Sequence, residues 1–117
     1  MFSKGDIIAL DFELPHNGDY IEHPAVIISS GNVYNTDKVY ICTMMTTNKK
    51  RDIFSFPVND NMLESPGNKP DSQVRCHLIT YVLEKHIKTK NGLRYNRLNP
   101  LALERLMAQI NEVVFES

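Results

Sequence analysis

HPAVIISSGNVYNTDKVYICTMMTT, residues 23–47, contains two short apolar runs rich in β-branched side chains. The runs are Ala25–Ile28 and Val39–Cys42, and the spacer between them is rich in Gly, Asn, Ser and Asp. This pattern predicts two buried strands joined by a surface loop. Polar residues flank the pair, with His23-Pro24 before the first run and Thr46-Thr47-Asn48 after the second. We therefore expect the pair at the centre of a small barrel, with a site near those polar ends.

The bulk composition indicates one globular domain over residues 1–117. A net charge of −1 gives no overall attraction to nucleic acid or to an anionic membrane. Cys42 and Cys76 each lie in an apolar run, which predicts buried thiols rather than a disulfide or a metal site. The N-terminus lacks the apolar region of a signal peptide, and no stretch approaches transmembrane length. We expect a cytoplasmic protein without membrane association.

The charges are distributed unevenly along the chain. Residues 1–22 carry five acids and one base, whereas residues 85–97 carry five bases and no acid. A basic segment of this kind can follow a phosphate backbone. It can equally be a solvated loop or an edge strand protected by lysines. The sequence leaves both interpretations open.

Further apolar runs on either side of the central pair predict more strands, at Ile7–Phe12, Ile53–Val58 and Ser72–Ile79, the last continuing to Leu83. Pro24 is expected at the start of its strand, and Pro57 indicates an edge strand or a strand end. Asn91-Gly92 predicts a two-residue hairpin turn with arms Lys85–Thr89 and Leu93–Asn96. The period of two places Ile8, Leu10 and Phe12 on one face, and Val74, Cys76 and Leu78 on the face opposite Arg75, His77 and Ile79.

The chain ends in a predicted helix. Asn99 is expected to be its N-cap and Pro100 its first residue. Apolar residues follow with helical spacing, at Leu103, Leu106, Met107, Ile110 and Val113 or Val114. Short, mostly antiparallel strands with one terminal helix predict a mainly β protein, built as a small closed or half-open barrel.

Arg75 and His77 stand two residues apart on a predicted strand and therefore share a face. The arginine fork fits phosphate oxygens, and histidine transfers protons near neutral pH. Together they form a minimal set for phosphodiester cleavage, although the same spacing occurs on solvated strand faces. The polar loop Leu14–Glu22, which contains His16, is a candidate lid or specificity loop. The four histidines are dispersed along the sequence, so we expect no metal site. The sequence contains no glycine-rich phosphate-binding loop, so we expect no cofactor.

The chain resembles the MazF/PemK/Kid toxins of bacterial toxin–antitoxin pairs over nearly its whole length. The similar segments, in chain order, are Gly5-Asp6-Ile7, His23–Ser29, Tyr34-Asn35, Thr46-Thr47, Val74-Arg75-Cys76 and Leu98-Asn99-Pro100. Their order and spacing, rather than any single motif, carry the similarity. The resemblance implies an SH3-like barrel of the CcdB/MazF/PemK type with a C-terminal helix, usually a homodimer. It also implies an antitoxin peptide that docks over the active groove.

The activity implied by the resemblance is metal-independent and cofactor-independent cleavage of single-stranded RNA. The ribose 2′-OH attacks its own phosphate, which requires a base, an acid and donors to the developing charge. By position, Arg75 would stabilise the phosphate or act as the acid. Thr46 and Thr47 would contact the phosphate or the neighbouring ribose. We expect Asn48, Lys49 and His16 to bind substrate as well.

Two positions depart from the family pattern. His23 stands where the family usually has Arg, and His77 stands where the PemK/Kid branch has Asp. The change is compatible with loss of activity, or with a base–acid pair of His23 and His77 supported by Arg75. Three functions stay open at this point: an active endoribonuclease, a non-catalytic barrel that binds RNA or a protein partner, and a toxin that acts on a protein such as a topoisomerase, as CcdB relatives do.

Overall fold

The computed structural model describes residues 1–67 and 69–116. Within these ranges the strands are β1 (Asp6–Glu13), β2 (Tyr20–Ile27), β3 (Val39–Thr47), β4 (Ser55–Pro57), β5 (Ser72–Leu83) and β6 (Asn96–Arg97). The helices are α1 (Gly31–Asp37) and α2 (Pro100–Ile110), and a π-helical turn, Asn111–Phe115, extends α2. Single 3₁₀ turns lie at Asp60–Met62 and Glu84–His86. The strands form one antiparallel sheet in the order β4-β5-β3-β2-β1-β6.

The prediction of a mainly β protein with a C-terminal helix is confirmed, but the sheet is not closed into a barrel. Its edge strands, β4 and β6, have only three and two residues and lie at opposite ends of the strand order. Such short edges offer little backbone for closure by hydrogen bonds. In place of strand closure, an isolated bridge joins Leu63 to Leu98, and α2 packs against the sheet.

Two hydrophobic clusters cover the two faces of the sheet. Val26 and Val74 pack in the first cluster with Leu106 of α2. Ile8, Leu10 and Phe12 of β1 lie together in the second cluster, which confirms their predicted shared face. The thiols of Cys42 and Cys76 are buried and unpaired, as predicted. Burial raises the pKa of Cys42 to about 12 and that of Cys76 to about 11.

The face prediction for β5 is wrong beyond Cys76. Opposite the step Thr43–Met45 of β3, the partner residues in β5 jump from Ile79 to Val74, so β5 contains a bulge. Ile79 therefore packs against the same cluster as Val74 and Cys76, while Leu78 packs against the other. A bulge adds residues to one strand and shifts its side-chain phase. The alternating pattern in the sequence does not reveal this shift.

The loop predicted between the two central strands contains α1. Ser30 precedes the helix in an extended conformation, and Lys38 ends it with a left-handed φ of 58°. The ring of Tyr34 stacks on that of Tyr40, with centroids 5.0 Å apart. The residues of this segment favour turns by themselves. The aromatic contact of Tyr34 with the second cluster stabilises the helix. Local composition alone does not predict this helix.

Strand β2 begins at Tyr20, inside the predicted loop, so Pro24 lies in the middle of the strand rather than at its start. Pro24 pairs with Ala9 of β1, whereas β3 pairs with β2 only over Ala25–Ile27. Pro24 therefore lies just outside the described β2–β3 pairing, and a residue without an N–H group is tolerated there. Pro57 ends an edge strand, as predicted.

Asn91 and Gly92 form the predicted turn, with φ values of 55° and 79°. Lys90 and Leu93 exchange two backbone hydrogen bonds of 3.0 Å around it. The prediction of two paired arms is wrong, because the flanking segments pair mainly with β1. Lys88 bridges to Ala9 of β1, and β6 pairs with the start of the same strand.

The basic segment pairs with the acidic N-terminal segment. Lys88 forms ion pairs with Asp11 at 3.0 Å and Glu22 at 3.1 Å. Arg94 and Arg97 each lie 3.7 Å from the buried carboxylate of Asp6. These contacts use three of the five bases of the segment within the fold, which favours the structural interpretation over tracking of a phosphate backbone.

The predicted cap of α2 is confirmed. The side chain of Asn99 accepts a hydrogen bond of 2.9 Å from the backbone N–H of Ala102, and Pro100 is the first helical residue. Leu106 and Ile110 are buried, as their spacing predicts. In the part of the chain that the structure describes, no helix combines the length and apolar character needed to cross a membrane.

Candidate functional site

Residues of β2, β3 and β5 surround a cavity of about 380 Å³, which we call the histidine cavity. Three strands and two loops contribute to its walls. The residues proposed from the sequence that line it are His16, His23, Thr46, Asn48, Arg75 and His77. Leu14, Pro15, Met44, Lys50, Gln73 and Leu78 are also in the lining. Side chains that are far apart in the sequence thus converge on one hollow.

A second cavity of about 580 Å³ adjoins the first, and we call it the Thr47 cavity. Both cavities are lined by His23 and Thr46, whereas Thr47 lines only the second. Alternation along β3 turns Thr46 and Thr47 to different sides of the strand. Lys49 is exposed in the turn after β3, and it is not among the residues described as lining either cavity.

Arg75 is held in a network of hydrogen bonds on the wall of the histidine cavity. Its Nη1 and Nη2 donate to the two carboxylate oxygens of Asp52, each at 2.9 Å. Nη1 also donates to Ser55 Oγ at 2.9 Å and to Gln73 Oε1 at 3.1 Å. The side chain of Arg75 is 14% exposed. The guanidinium holds the pKa of the Asp52 carboxyl well below its usual range.

The buried side chain of Gln73, which is 1% exposed, holds the turn that follows β3. Its Nε2 donates to the carbonyl oxygen of Asn48 at 2.9 Å and to that of Lys50 at 2.8 Å. Asn48 Oδ1 accepts from the N–H of Lys50 at 2.8 Å, and Arg51 Nη1 donates to the same two carbonyl oxygens. The basic turn therefore has a defined backbone conformation at the mouth of the cavity.

The bulge in β5 aims the side chains of Arg75 and His77. The hydroxyl of Thr43, a fully buried residue, donates a hydrogen bond of 2.6 Å to the carbonyl oxygen of Arg75. On the other side, the N–H of Cys76 donates to the carbonyl oxygen of Phe54 at 2.9 Å. Bulges commonly re-aim side chains next to functional sites. Here the carbonyl oxygen of Arg75 and the N–H of Cys76 are both hydrogen-bonded, one to β3 and the other to the segment before β4.

Two of the three histidines that line the cavity, His77 and His23, have different surroundings. The ring of His77 stacks on Phe54, with centroids 4.1 Å apart and an interplanar angle of 28°. Partial burial, and then the charge of Arg75, lower the pKa of His77 below its ordinary value. His77 is therefore mainly neutral near pH 7 and can accept a proton. His23 is half-buried and lies edge-on to the ring of Phe12, with centroids 6.5 Å apart.

Sequence reasoning missed several residues of the site, namely Asp52, Ser55, Gln73 and Lys50. Gln73 lies two residues before Arg75 on the same strand, so the period of two could have found it. No signal in the sequence links Asp52 to Arg75. Among the residues that the structure describes, no group of three or more His, Cys, Asp or Glu side chains is arranged to hold a metal ion.

A larger groove of about 750 Å³ borders the histidine cavity, with which it shares Met44 and Leu78. Leu10–Glu13 and Lys85–Lys88 contribute to its walls, together with residues of β5. The sequence-proposed site residues are absent from the described lining of this groove. The sequence-proposed side chains that can transfer protons and bind phosphate therefore line the smaller histidine cavity rather than this larger groove.

Solved structures show that this architecture is the MazF fold. MazF from Deinococcus radiodurans (Form-I) superposes with a TM-score of 0.72 at 10% identity, covering 98% of this chain and 97% of that chain. A mycobacterial endoribonuclease in complex with its cognate antitoxin gives 0.71 at 10% identity, with coverage of 97% and 95%. The MazE–MazF structure (Form-III) from D. radiodurans gives 0.69 at 13% identity, with coverage of 99% and 98%.

The family is shown by the sequence itself. Residues 3–114 match the family model described as PemK-like, MazF-like toxin of type II toxin–antitoxin system. The chain therefore belongs to this toxin family, and the resemblance read from its motifs is confirmed. No curated protein matches the chain at a significant level of sequence similarity.

Proposed function

We propose that this chain is a metal-independent endoribonuclease toxin that cleaves single-stranded RNA in the histidine cavity. Membership of the toxin family supports this function. The observation that carries the proposal is that His23 and His77 line one cavity together with Thr46 and Arg75. Two imidazoles, a hydroxyl and a guanidinium are sufficient groups for transesterification of a phosphodiester.

The reaction begins when the ribose 2′-OH attacks the adjacent phosphorus. His77, with its lowered pKa, accepts the hydroxyl proton as the neutral base. His23 donates a proton to the leaving 5′-oxygen, so the products carry a cyclic phosphate and a free 5′-OH. The hydroxyl of Thr46 donates to a phosphate oxygen, and Thr47 contacts the neighbouring ribose in its own cavity. Because both cavities include His23 and Thr46, the RNA strand passes from one cavity to the next across these residues.

The remaining sequence-proposed residues lie around this centre. His16 and Asn48 line the rim of the histidine cavity and contact the flanking nucleotides. Lys49 is exposed beside them and adds positive charge for the RNA backbone. Arg75 stays on the cavity wall. Its positive charge favours the neutral form of the His77 imidazole, which then takes up the proton of the substrate hydroxyl.

The partners follow from the same proposal. Two of the similar structures are described as a toxin with its antitoxin: the mycobacterial endoribonuclease complex and MazE–MazF of D. radiodurans. We propose that a cognate antitoxin peptide covers the groove of this chain, and that the chain acts in the cytoplasm as a homodimer. A peptide that covers His23 and Arg75 would exclude RNA from the cavity.

A second candidate function is binding of RNA or of a protein partner without cleavage. The contact between Arg75 and Asp52 favours it, because a carboxylate in two-point contact offsets the charge that a phosphorane would need. The histidines at positions 23 and 77, in place of the usual family residues, favour it as well. The two functions predict the same cavity and differ in whether bound RNA is cut.

The deciding experiment incubates the purified protein with mixed-sequence single-stranded RNA in EDTA between pH 5 and pH 8. We expect fragments with cyclic phosphate and 5′-OH ends. His23→Ala and His77→Ala should each lower the rate by roughly 10²–10⁴. His86→Ala is the matched control, because His86 lines the larger groove and is absent from the described lining of the histidine cavity, and it should cut like the wild type. An RNA pool that is bound but left intact would contradict the nuclease and support the second candidate.

A further inference from the structure

We propose that Lys50, and not Arg75, supplies the cationic contact to the RNA phosphate in the histidine cavity, and that Arg75 is a positioning residue for the turn that presents Lys50. The inference rests on the proposed function, since it assigns a role within the same site. It concerns a residue that the family resemblance did not single out.

The first argument is the state of the Arg75 guanidinium. Both terminal nitrogens donate to Asp52, and Nη1 also donates to Ser55 and Gln73. The carboxylate fills the Nη1–Nη2 edge of the guanidinium, which is one of the edges that can take two phosphate oxygens. A phosphate that approached Arg75 would also meet the negative charge of Asp52. The pair therefore presents the substrate with little net charge.

The second argument is the position of Lys50. It lines the histidine cavity and is exposed, so its ammonium group is available to a ligand there. Lys50 takes part in none of the ion pairs among the described residues. An ammonium is a compact charge with several donors, which suits a phosphate oxygen. Lys49, its neighbour, is absent from the described lining of the cavity.

The third argument is that the backbone of Lys50 is held on both sides. Its N–H donates to Asn48 Oδ1 at 2.8 Å. Its carbonyl oxygen accepts from Gln73 Nε2 at 2.8 Å and from Arg51 Nη1 at 3.1 Å. Less conformational freedom then has to be lost when the side chain binds a phosphate.

Arg75 connects this turn to the sheet at two points. It binds Asp52, at the end of the turn, and it donates to the Oε1 of Gln73, whose Nε2 holds the carbonyl oxygen of Lys50. Loss of the guanidinium would therefore remove the anchor at Asp52 and the hydrogen bond that orients the Gln73 amide. Arg75 acts on the substrate through Lys50.

Binding is tested with a mixed-sequence 2′-O-methyl oligonucleotide, which lacks the attacking hydroxyl and cannot be cut by this reaction. We expect Lys50→Ala to weaken binding roughly tenfold and to reduce the slope of log K against log salt by about 0.7, the loss of one phosphate contact on a single strand. Lys49→Ala should have a smaller effect. Lys4→Ala removes the same charge at a residue outside the described lining of both cavities and should bind like the wild type.

A double-mutant cycle tests the positioning role. If Arg75 acts through Lys50, adding Arg75→Ala to Lys50→Ala costs little further affinity. If Arg75 holds a phosphate itself, the two losses add, and the inference is overturned. Asp52→Asn gives a second test that keeps the guanidinium. It should weaken binding by loosening the turn, whereas a phosphate-binding Arg75 would bind more tightly once the carboxylate is neutralised.

The outcomes separate this inference from the proposed function. If the wild type binds and cuts RNA while Lys50→Ala keeps the wild-type affinity and salt slope, the role of Lys50 is overturned and the nuclease stands. If the wild type neither binds nor cuts RNA, both proposals fail. Thermal melts of each variant check that losses of affinity do not come from unfolding.

Discussion

Arg75 and Asp52 are 23 residues apart in the sequence, and two hydrogen bonds of 2.9 Å join the guanidinium of one to the carboxylate of the other. The contact links β5 to the turn after β3. It also offsets the charge of the arginine on the wall of the histidine cavity, because an ion pair with two parallel hydrogen bonds is strongly oriented. We expect this single contact to affect stability, proton affinity and the proposed binding of RNA, and each effect can be measured.

Asp52→Asn should flatten the acid dependence of stability. The pKa of Asp52 is held well below its usual range in the folded protein, chiefly by hydrogen bonds from Arg75. In the unfolded chain the carboxyl has its ordinary pKa near 4. The unfolded state therefore takes up a proton first, and the stability that the pair contributes above about pH 4 is lost as the pH falls further. Urea unfolding from pH 7 to pH 3 measures this.

In that experiment the wild type should take up about one more proton on unfolding near pH 3 than Asp52→Asn does. Asp37→Asn is the control, because Asp37 is an exposed carboxylate at the end of α1, and it should keep the wild-type slope. Parallel curves for the wild type and Asp52→Asn would show that the carboxylate is not held as described.

Removing the charge of Arg75 should raise the pKa of His77. Partial burial lowers this pKa first, and the guanidinium lowers it further. Arg75→Gln removes the cation and leaves Asp52 unpaired, and both changes favour the imidazolium. NMR titration of the ring protons should show a His77 pKa below the ordinary histidine value in the wild type and a higher pKa in Arg75→Gln. His86, which lies at the other groove, serves as the internal reference.

The pH dependence of cleavage should follow the same shift. If His77 is the base, the acidic limb of the rate profile lies at the pKa of His77 and moves to higher pH in Arg75→Gln. An acidic limb that stays in place while the His77 resonance moves would contradict the assignment of His77 as the base.

Thr43→Val should destabilise the protein and disturb the site. The hydroxyl of Thr43 is the donor to the carbonyl oxygen of Arg75, at 2.6 Å, inside a fully buried environment. Valine keeps the shape and removes this donor, which should cost about 1–3 kcal/mol. Thr43→Ser keeps the hydroxyl and loses one methyl group. We expect the valine variant to lose more cleavage rate than the serine variant, because the bulge that aims Arg75 is released. Equal rates in the two variants would argue against this role.

Asn99→Ala should lower the free energy of unfolding by about 1 kcal/mol through loss of the helix cap. The side chain of Asn99 accepts from the N–H of Ala102 and donates to the carbonyl oxygen of Asn61, both at 2.9 Å. Asn99→Asp retains the capping acceptor and should keep most of the stability. Urea unfolding of the three proteins at pH 7 is the measurement, and equal loss in both variants would place the stability in the contact with Asn61 instead.

The features that could be predicted are those set by neighbours in the sequence. The faces of β1, the cap at Asn99 and the turn at Asn91-Gly92 depend on residues at most a few positions apart, so periodicity and turn chemistry reveal them. The two-residue spacing on one strand points to Arg75 and His77, whereas the roles of His23, Thr46 and Thr47 come from the resemblance. The structure brings His23, Thr46, Arg75 and His77 to one cavity, while their catalytic roles stay proposals.

The sequence by itself therefore determined a mainly β chain with a capped terminal helix and two buried thiols, because these follow from local propensity and burial pattern. Only the tertiary structure decided that β5 carries a bulge, that Asp52 takes the fork of Arg75, and that the acidic N-terminal segment pairs with the basic segment. Each of these depends on the register between strands that are distant along the chain. The charge of a side chain is readable from its letter, but the partner that offsets that charge is set by which strands lie side by side.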